Sequence, residues 1–307
     1  MARVTIPPRA TVRVAAESLA AHGIVRSRLW FRVLARIRGV DRSIQAGVYE
    51  FPRNAPIGDV MAALASGRTA TARLTLPEGL AIPDIAALVA QRLGVSADSV
   101  IAAARDPALA DSLQLPGRSL EGFLFPETYA VPIATPAREI VRTLAESFKA
   151  AWRPEWSARL DTLRWSQLEA VTLASIVEGE ARADDERAII AGVYHNRLRI
   201  GMALQADPTV QYALLLATGQ RKPRLYSKDY RFPHPYNTYL RPGLPPGPVN
   251  SPGRRSLEAT LYPAKVPFLY FVAMPDGRHR FAATYDEHLR NVAASRRAWR
   301  GVRSSEQ

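Results

Sequence analysis

Residues Val4–Ile24, VTIPPRATVRVAAESLAAHGI, pass from β-favouring residues through a Pro-Pro turn into a run with Ala, Val and Leu at helical spacing. The same layout recurs in GVYEFPRNAPIGDVMAALASG from Gly47 and in LTLPEGLAIPDIAALVAQRLGV from Leu74. These are three strand–turn–helix units. Between the first two lies SRLWFRVLARIRGV, read as a second helix carrying Leu29, Phe31, Val33, Leu34 and Ile37. The opening part of the chain therefore reads strand, helix, helix, strand: a generic small α+β module by pattern, or more sharply a glycan-binding module.

Further along, RSLEGFLFPETYAVP from Arg118 reads as a surface-crossing ordered loop or short strands, followed by a long helix over about Pro136 to Trp152. WSQLEAVTLASIVEGEA predicts a buried helix with Ser166 as its N-cap. DDERAIIAGVYHNRLRIG predicts the next, with acids in its first turn, arginine in its last and Gly201 as the stop. Then come LQADPTVQYALLLA, a basic insertion TGQRKPRLYSKDYRF, a Gly- and Pro-rich loop over 241–253, a helix near Leu257, the strand FLYFVAM and a final arginine-rich helix. A structureless loop of that length in a compact domain points to function.

The 307 residues suffice for two domains, and 47% hydrophobic with 22% charged residues is ordinary for a globular chain. Lys+Arg 41 against Asp+Glu 28 gives a net charge of +13, nearly all of it arginine spread along the chain without a basic block. A polyanionic partner follows: nucleic acid, an anionic membrane surface or an acidic cell-wall polymer. The absence of a basic cluster and of a recognisable motif argues against nucleic acid. Cys 0 removes thiol catalysis, thiolate metal sites and disulfides together. The five histidines show no metal-ligand spacing, so no metal is expected. No phosphate-binding, dinucleotide or nucleophile-elbow motif occurs, and no run of about 18 apolar residues.

The carboxylates are the remaining chemistry. Glu180 lies three, four and seven residues after Val177, Ile176 and Leu173, so it shares their stripe, whereas Glu178 is rotated toward Ala174 and Ser175. A carboxyl on an apolar stripe is held partly protonated near neutral pH, as a general acid must be. The competing reading is that either glutamate caps the next helix or pairs with Arg182 or Arg187. Glu186 is most simply placed by the dipole of the helix it begins. Asp207 in ADPTV reads as a turn or N-cap aspartate as readily as a catalytic one. Tyr236, Asn237, Thr238 and Tyr239 in PYNTY offer rings to stack on sugars beside amide and hydroxyl groups, or form a packed turn.

Several segments resemble one family. LASIVEGEA, ERAIIAGVYHNRLRIGMALQADPTVQYAL, YNTYLRPGLPPGPVNSPG, YPAKVPFLYFVA, QAGVYEF and LEGFLFPETY are similar to the YceG-like (MltG) endolytic murein transglycosylases. The resemblance implies a LysM-like βααβ module over 1–72 and a mixed α/β catalytic domain over 73–307. It implies no cofactor, and a lyase that cuts nascent glycan strands between N-acetylmuramic acid and N-acetylglucosamine, leaving 1,6-anhydro ends and terminating elongation. The second Glu of the family's E-x-E-T pattern falls on Glu180, with Ala181 where many relatives have Thr. Gln205, Asp207, Asn237, Thr238 and Tyr239 become candidates for holding the sugar, with Glu178, Glu186 and Asn196 as secondary candidates. The resemblance further implies peptidoglycan synthases as partners, no nucleic acid, and the periplasmic face of the bacterial inner membrane, reached by a spanning helix upstream of these residues. Two other readings stand beside it: a muramidase pairing Glu180 with Glu178 or Asp207 and a water, and a non-catalytic glycan-binding scaffold.

Overall fold

The structure, a computed structural model, describes residues 1–305. Its three sheets among those residues are antiparallel pairs, and helices make up the rest of the regular structure, so the fold is mixed α+β. Contacts divide the chain into two compact units: residues 1–75 with 89–96 and 128–140, and residues 76–88 with 97–127 and 141–307.

In the first unit, β1 (Ala2–Ile6) and β2 (Gly47–Phe51) pair with Val4 opposite Tyr49. Between them run α1 (Val12–Ala21) and α2 (Arg28–Ile37), so the strand, helix, helix, strand order is observed. Each helix is started by a hydroxyl: Thr11 accepts from the Val14 amide at 3.4 Å and Ser27 from that of Trp30 at 3.3 Å. Alternation along β1 sends Val4 and Ile6 inward to meet Leu19, Phe31, Tyr49 and Leu64, the last on α3 (Ile57–Ser66). Of the apolar residues expected to pack α2, Phe31 is buried and Leu34 partly so, while Leu29, Val33 and Ile37 face outward. β3 (Thr71–Thr75) completes this unit by pairing with β4 (Thr128–Pro132). The helices α4 (Ile82–Leu93) and α7 (Ala137–Ala151) each have residues in both units.

The second unit is mostly helical, with α5 (Ala97–Ala104), α6 (Pro107–Ser112) and α8 (Pro154–Leu163) leading to α9 (Gln167–Glu180). Ser166 and Glu169 form a reciprocal capping box, the Ser166 hydroxyl accepting from the Glu169 amide at 3.2 Å and the Glu169 carboxylate from the Ser166 amide at 2.7 Å. Every residue of α9 from Ala170 to Val177 is buried. The segment 120–125, expected to cross the surface, is instead wholly inside. Phe123 meets Phe148 edge to face at 5.0 Å. Gly122 has φ +82°, and a Cβ there would lie 2.5 Å from Pro248, so only glycine admits this approach.

After α9 the chain makes a tight 3-10 turn, Asp184–Glu186, and continues as α10 (Arg187–Arg199), closed by Gly201 at φ +69°. Then follow α11 (Asp207–Thr218), α12 (Arg254–Leu261), the pair β5 (Tyr270–Ala273) and β6 (His279–Ala282), and α13 (Tyr285–Ser305). Leu173, Ile176, Val177, Ile190, Tyr194, Leu204, Tyr212 and Val249 share one core, which brings α9, α10 and α11 together. No helix of the described residues is long and apolar enough to cross a membrane.

Candidate active site

Glu180 is the last residue of α9, since Ala181 turns extended at φ −71°, ψ 124°. The stripe argument needs correcting: with the helix buried around its circumference, no single apolar face distinguishes Glu180 from Glu178. Their partners do.

Glu178 is held in place from three sides. It accepts from Arg187 Nη1 at 3.1 Å, from Ser256 Oγ at 2.8 Å and from the Gly253 amide at 3.0 Å. Its side chain is 7% exposed, and that of Arg187 11%. This is a buried ion pair with its lone pairs satisfied, a structural arrangement joining α9 to α10 and α12.

Glu180 faces other groups. Tyr194, fully buried on α10, donates its hydroxyl to Glu180 Oε1 at 3.1 Å. The Asp207 amide at the start of α11 also points to this carboxyl, as the unpaired first N–H groups of a helix can. The two helices approach closely because residue 179 is glycine; a Cβ there would lie 2.6 Å from Pro208. Burial, the largest cause, and the nearby Asp207 carboxylate push the Glu180 pKa up to about 7; the Tyr194 and Asp207 hydrogen bonds and the Arg197 guanidinium only partly offset them. Near neutral pH such a group is protonated about half the time and exchanges protons in both directions. Glu180 also keeps some accessible surface.

Asp207 is the first residue of α11, with Ala206 as N-cap, which corrects its reading as the cap itself. Its carboxylate accepts from Tyr239 Oη at 2.6 Å and Tyr230 Oη at 3.4 Å. Burial raises the pKa of both phenols, that of Tyr230 to about 12, so they remain donors. Gln205 stands just before, exposed, at φ +50°, with its amide on the Thr238 carbonyl at 3.1 Å.

The PYNTY turn supports this strand of residues from behind. Thr238 is buried and accepts from the Ala206 amide at 3.0 Å. Asn237, without exposed surface, donates to the carbonyls of Tyr230 and Phe232 at 3.0 and 2.9 Å and accepts from the Tyr239 amide at 3.0 Å. Of the sugar-holding candidates, then, Gln205 and Tyr239 stand beside Asp207, while Asn237 and Thr238 turn inward to the backbone.

The secondary candidates lie elsewhere. Glu186 is buried and accepts from His279 Nδ1 at 2.7 Å and from the His279 amide at 3.1 Å, a bond to β6 that the helix dipole does not explain. Asn196 donates to the carbonyls of Val266 and Phe268 at 2.8 and 3.0 Å, fixing the approach to β5. In the loop over 241–253, residues 247–253 are buried, and Val249 and Asn250 are bonded to Ser175 of α9 at 3.0 and 2.8 Å.

Three groups escaped the sequence reading. Tyr194 and Arg197, three apart on α10, are one; a buried tyrosine and arginine at helical spacing in VYHNRLR were the available signal. Arg197 is anchored on the Leu269 and Leu204 carbonyls at 2.6 and 2.5 Å. Tyr230, in the basic insertion, carried no signal. Glu121 is the third: burial pushes its pKa up to about 7 as well. Yet its oxygens take the Ile82 amide at 3.1 Å and Tyr212 Oη at 2.8 Å, and it is 3% exposed, so it cannot reach a substrate.

Glu121 makes a stability prediction. Its folded pKa of about 7 lies above the ordinary 4.5, so the folded state holds the proton more tightly. Stability is therefore full below the unfolded value and is lost as pH rises from 4.5 through 7, by up to about 3 kcal/mol. Glu121→Gln, which cannot ionise, is expected to flatten that fall in denaturant titrations at pH 5 and pH 8; an unchanged pH dependence would refute the assignment.

Known proteins resemble this chain over most of its length. The sequence model of the YceG-like family matches residues 4–294. A Bacillus subtilis protein named endolytic murein transglycosylase is 32% identical over 93% of this chain and 82% of its own length. A Streptococcus pneumoniae protein of the same name is 30% identical over 94% of this chain, which spans 57% of that relative. A crystal structure of a YceG-like protein from Listeria monocytogenes, 28% identical, superposes with a TM-score of 0.65 over 94% of this chain and 97% of the solved one. The chain belongs to the YceG-like family.

Proposed function

We propose that this enzyme, a murein lytic transglycosylase like the relatives it matches, cuts inside glycan strands with Glu180 as both acid and base. The observation that carries the reading is that Glu180 is a carboxyl poised near neutrality while the nearby acids are otherwise engaged: Glu178 by Arg187, Asp207 by two phenols.

A hydrolase needs a second carboxylate to activate water or attack the sugar. In the single-carboxylate route, protonated Glu180 gives its proton to the glycosidic oxygen between N-acetylmuramic acid and N-acetylglucosamine, and the bond from that oxygen to the muramic anomeric carbon breaks. The resulting Glu180 carboxylate takes the proton of the muramic C6 hydroxyl as that oxygen bonds to the same carbon. The ring closes to a 1,6-anhydro end, Glu180 is protonated again, and no water is consumed. Asp207, whose carboxylate accepts from Tyr239 and Tyr230, stabilises the positive charge that develops on the sugar. Tyr194 and Arg197 position Glu180, Gln205 and Tyr239 meet the sugar, and Asn237 and Thr238 hold the backbone that presents them. Ala181 supplies no hydroxyl, so the family's threonine has no counterpart at that place.

We further assign glycan holding to a LysM-like module over 1–72 and the chemistry to 73–307. The setting is the outer side of the cytoplasmic membrane, where nascent strands are made and such cuts terminate their elongation, in company with the synthases that make them. Incubating uncrosslinked strands with the protein and sizing the products tests the internal cut. Mean strand length is expected to fall before disaccharides accumulate; disaccharide release from the outset, or no shortening, would overturn it.

Asp207 gives a pH prediction. Its charge raises the Glu180 pKa, so Asp207→Asn lowers that pKa and removes the proton donor at lower pH. The alkaline limb of kcat/KM, expected near pH 7 in the native enzyme, should move down by roughly one unit. A limb that stays in place would separate Asp207 from Glu180.

A further inference from the structure

We propose that the outward face of α2 seats the first unit on an anionic phospholipid surface. The inference is independent of the role of Glu180. Four large apolar residues of this one helix are left in water: Leu29 is 68% exposed, Trp30 65%, Val33 40% and Ile37 74%. At about 100° per residue they fall in one sector roughly 100° wide. A second sector holds Phe31, Leu34 and Ala35, which pack into the core and already satisfy the helix's structural need. The third holds Arg28, Arg32 and Arg36, all exposed. No acidic residue occurs in α2. Arg26 lines the hollow beside Leu29 together with Arg13, which pairs with Glu17 at 3.5 Å, and Arg26 and Arg53 line the hollow beside Trp30, so the apolar stripe is bordered by several guanidinium groups and one carboxylate.

A contiguous exposed apolar stripe marks a surface that something covers. The chemistry selects the occupant. Basic residues flanking Trp and aliphatic side chains on one helix face suit a helix lying in the interface plane, with the stripe among acyl chains and arginines on lipid phosphates. A sugar ring would stack on Trp30 but gains little from Leu29, Val33 and Ile37. A second copy of the chain would bring rows of like charge together.

The test is flotation of the whole chain with vesicles of phosphatidylglycerol and phosphatidylcholine, and with phosphatidylcholine alone, at roughly 0.15 M salt. Binding to the anionic vesicles is expected to be at least about tenfold stronger than to the neutral ones. The double variant Trp30→Ser with Ile37→Ser should lose about tenfold or more of it, and so should Arg32→Glu with Arg36→Glu. Circular dichroism should stay unchanged in both, and the ends released from soluble glycan strands should be chemically the same as those made by the native chain, which separates this result from any failure of the Glu180 assignment. Equal binding to both vesicle types, or variants that bind like the native chain, would overturn the proposal. So would a stripe that proves to close a dimer in sedimentation velocity while no vesicle binds.

Discussion

Glu180→Gln is expected to leave a folded protein that no longer cuts glycan strands, with a rate loss of about 10³-fold or more, since the proposed mechanism gives both proton transfers to this one side chain. The amide keeps the acceptor for Tyr194 Oη at 3.1 Å but has no proton to give the glycosidic oxygen. Removing a carboxyl that burial holds near pKa 7 also predicts equal or greater stability at pH 8, which distinguishes lost chemistry from lost folding. Glu178→Gln is the control: it weakens the bond to Arg187 yet leaves the proton donor in place, so strand cutting should persist. A Glu180→Gln protein that retains native activity would remove the basis of the mechanism.

The largest effect on stability is expected at Arg187. Its Nη1 lies 3.1 Å from Glu178 Oε1 and 2.6 Å from Ser256 Oγ, and its Nε 3.2 Å from Asp184 Oδ1. Arg187→Met removes one partner of a buried pair and leaves the Glu178 charge to two weaker donors, at a cost of about 3–5 kcal/mol. Adding Glu178→Gln should recover part of that loss, because the stranded charge disappears. Denaturant midpoints of the two single variants and the double variant decide it; a loss below about 1 kcal/mol for Arg187→Met would show that the pair is not what joins α9 to α10.

Local signals carried the helices of the second unit. Ser166 marks the start of α9, and Gly201 marks the end of α10, through interactions within a turn or two of the chain. What the chain does over longer distances was not readable. The pairing of β3 with β4 brings Leu74 opposite Tyr129 across an intervening stretch of three helices, which no short-range pattern encodes. The bond between Glu186 and His279 is of the same kind.

The site was legible in part for a related reason. Periodicity separated Glu178 from Glu180 by rotation, but their chemical difference comes from Arg187, Ser256 and Gly253 on one side and Tyr194 and Asp207 on the other. Asn237 illustrates the limit: an asparagine that clamps two carbonyls of its own loop and one that meets a sugar look alike in sequence. Glu121 shows the converse, since a strongly raised pKa belongs equally to an enclosed structural acid and to a candidate catalytic one.

Mass spectrometry of the ends made when the native enzyme digests purified glycan strands tests the single-carboxylate mechanism most directly. The mechanism consumes no water, so the new muramic ends should be 1,6-anhydro, lighter by one water than reducing ends, and digestion in ¹⁸O-labelled water should leave them unlabelled. Reducing muramic ends carrying the label would contradict it and assign the reaction to a two-carboxylate hydrolase.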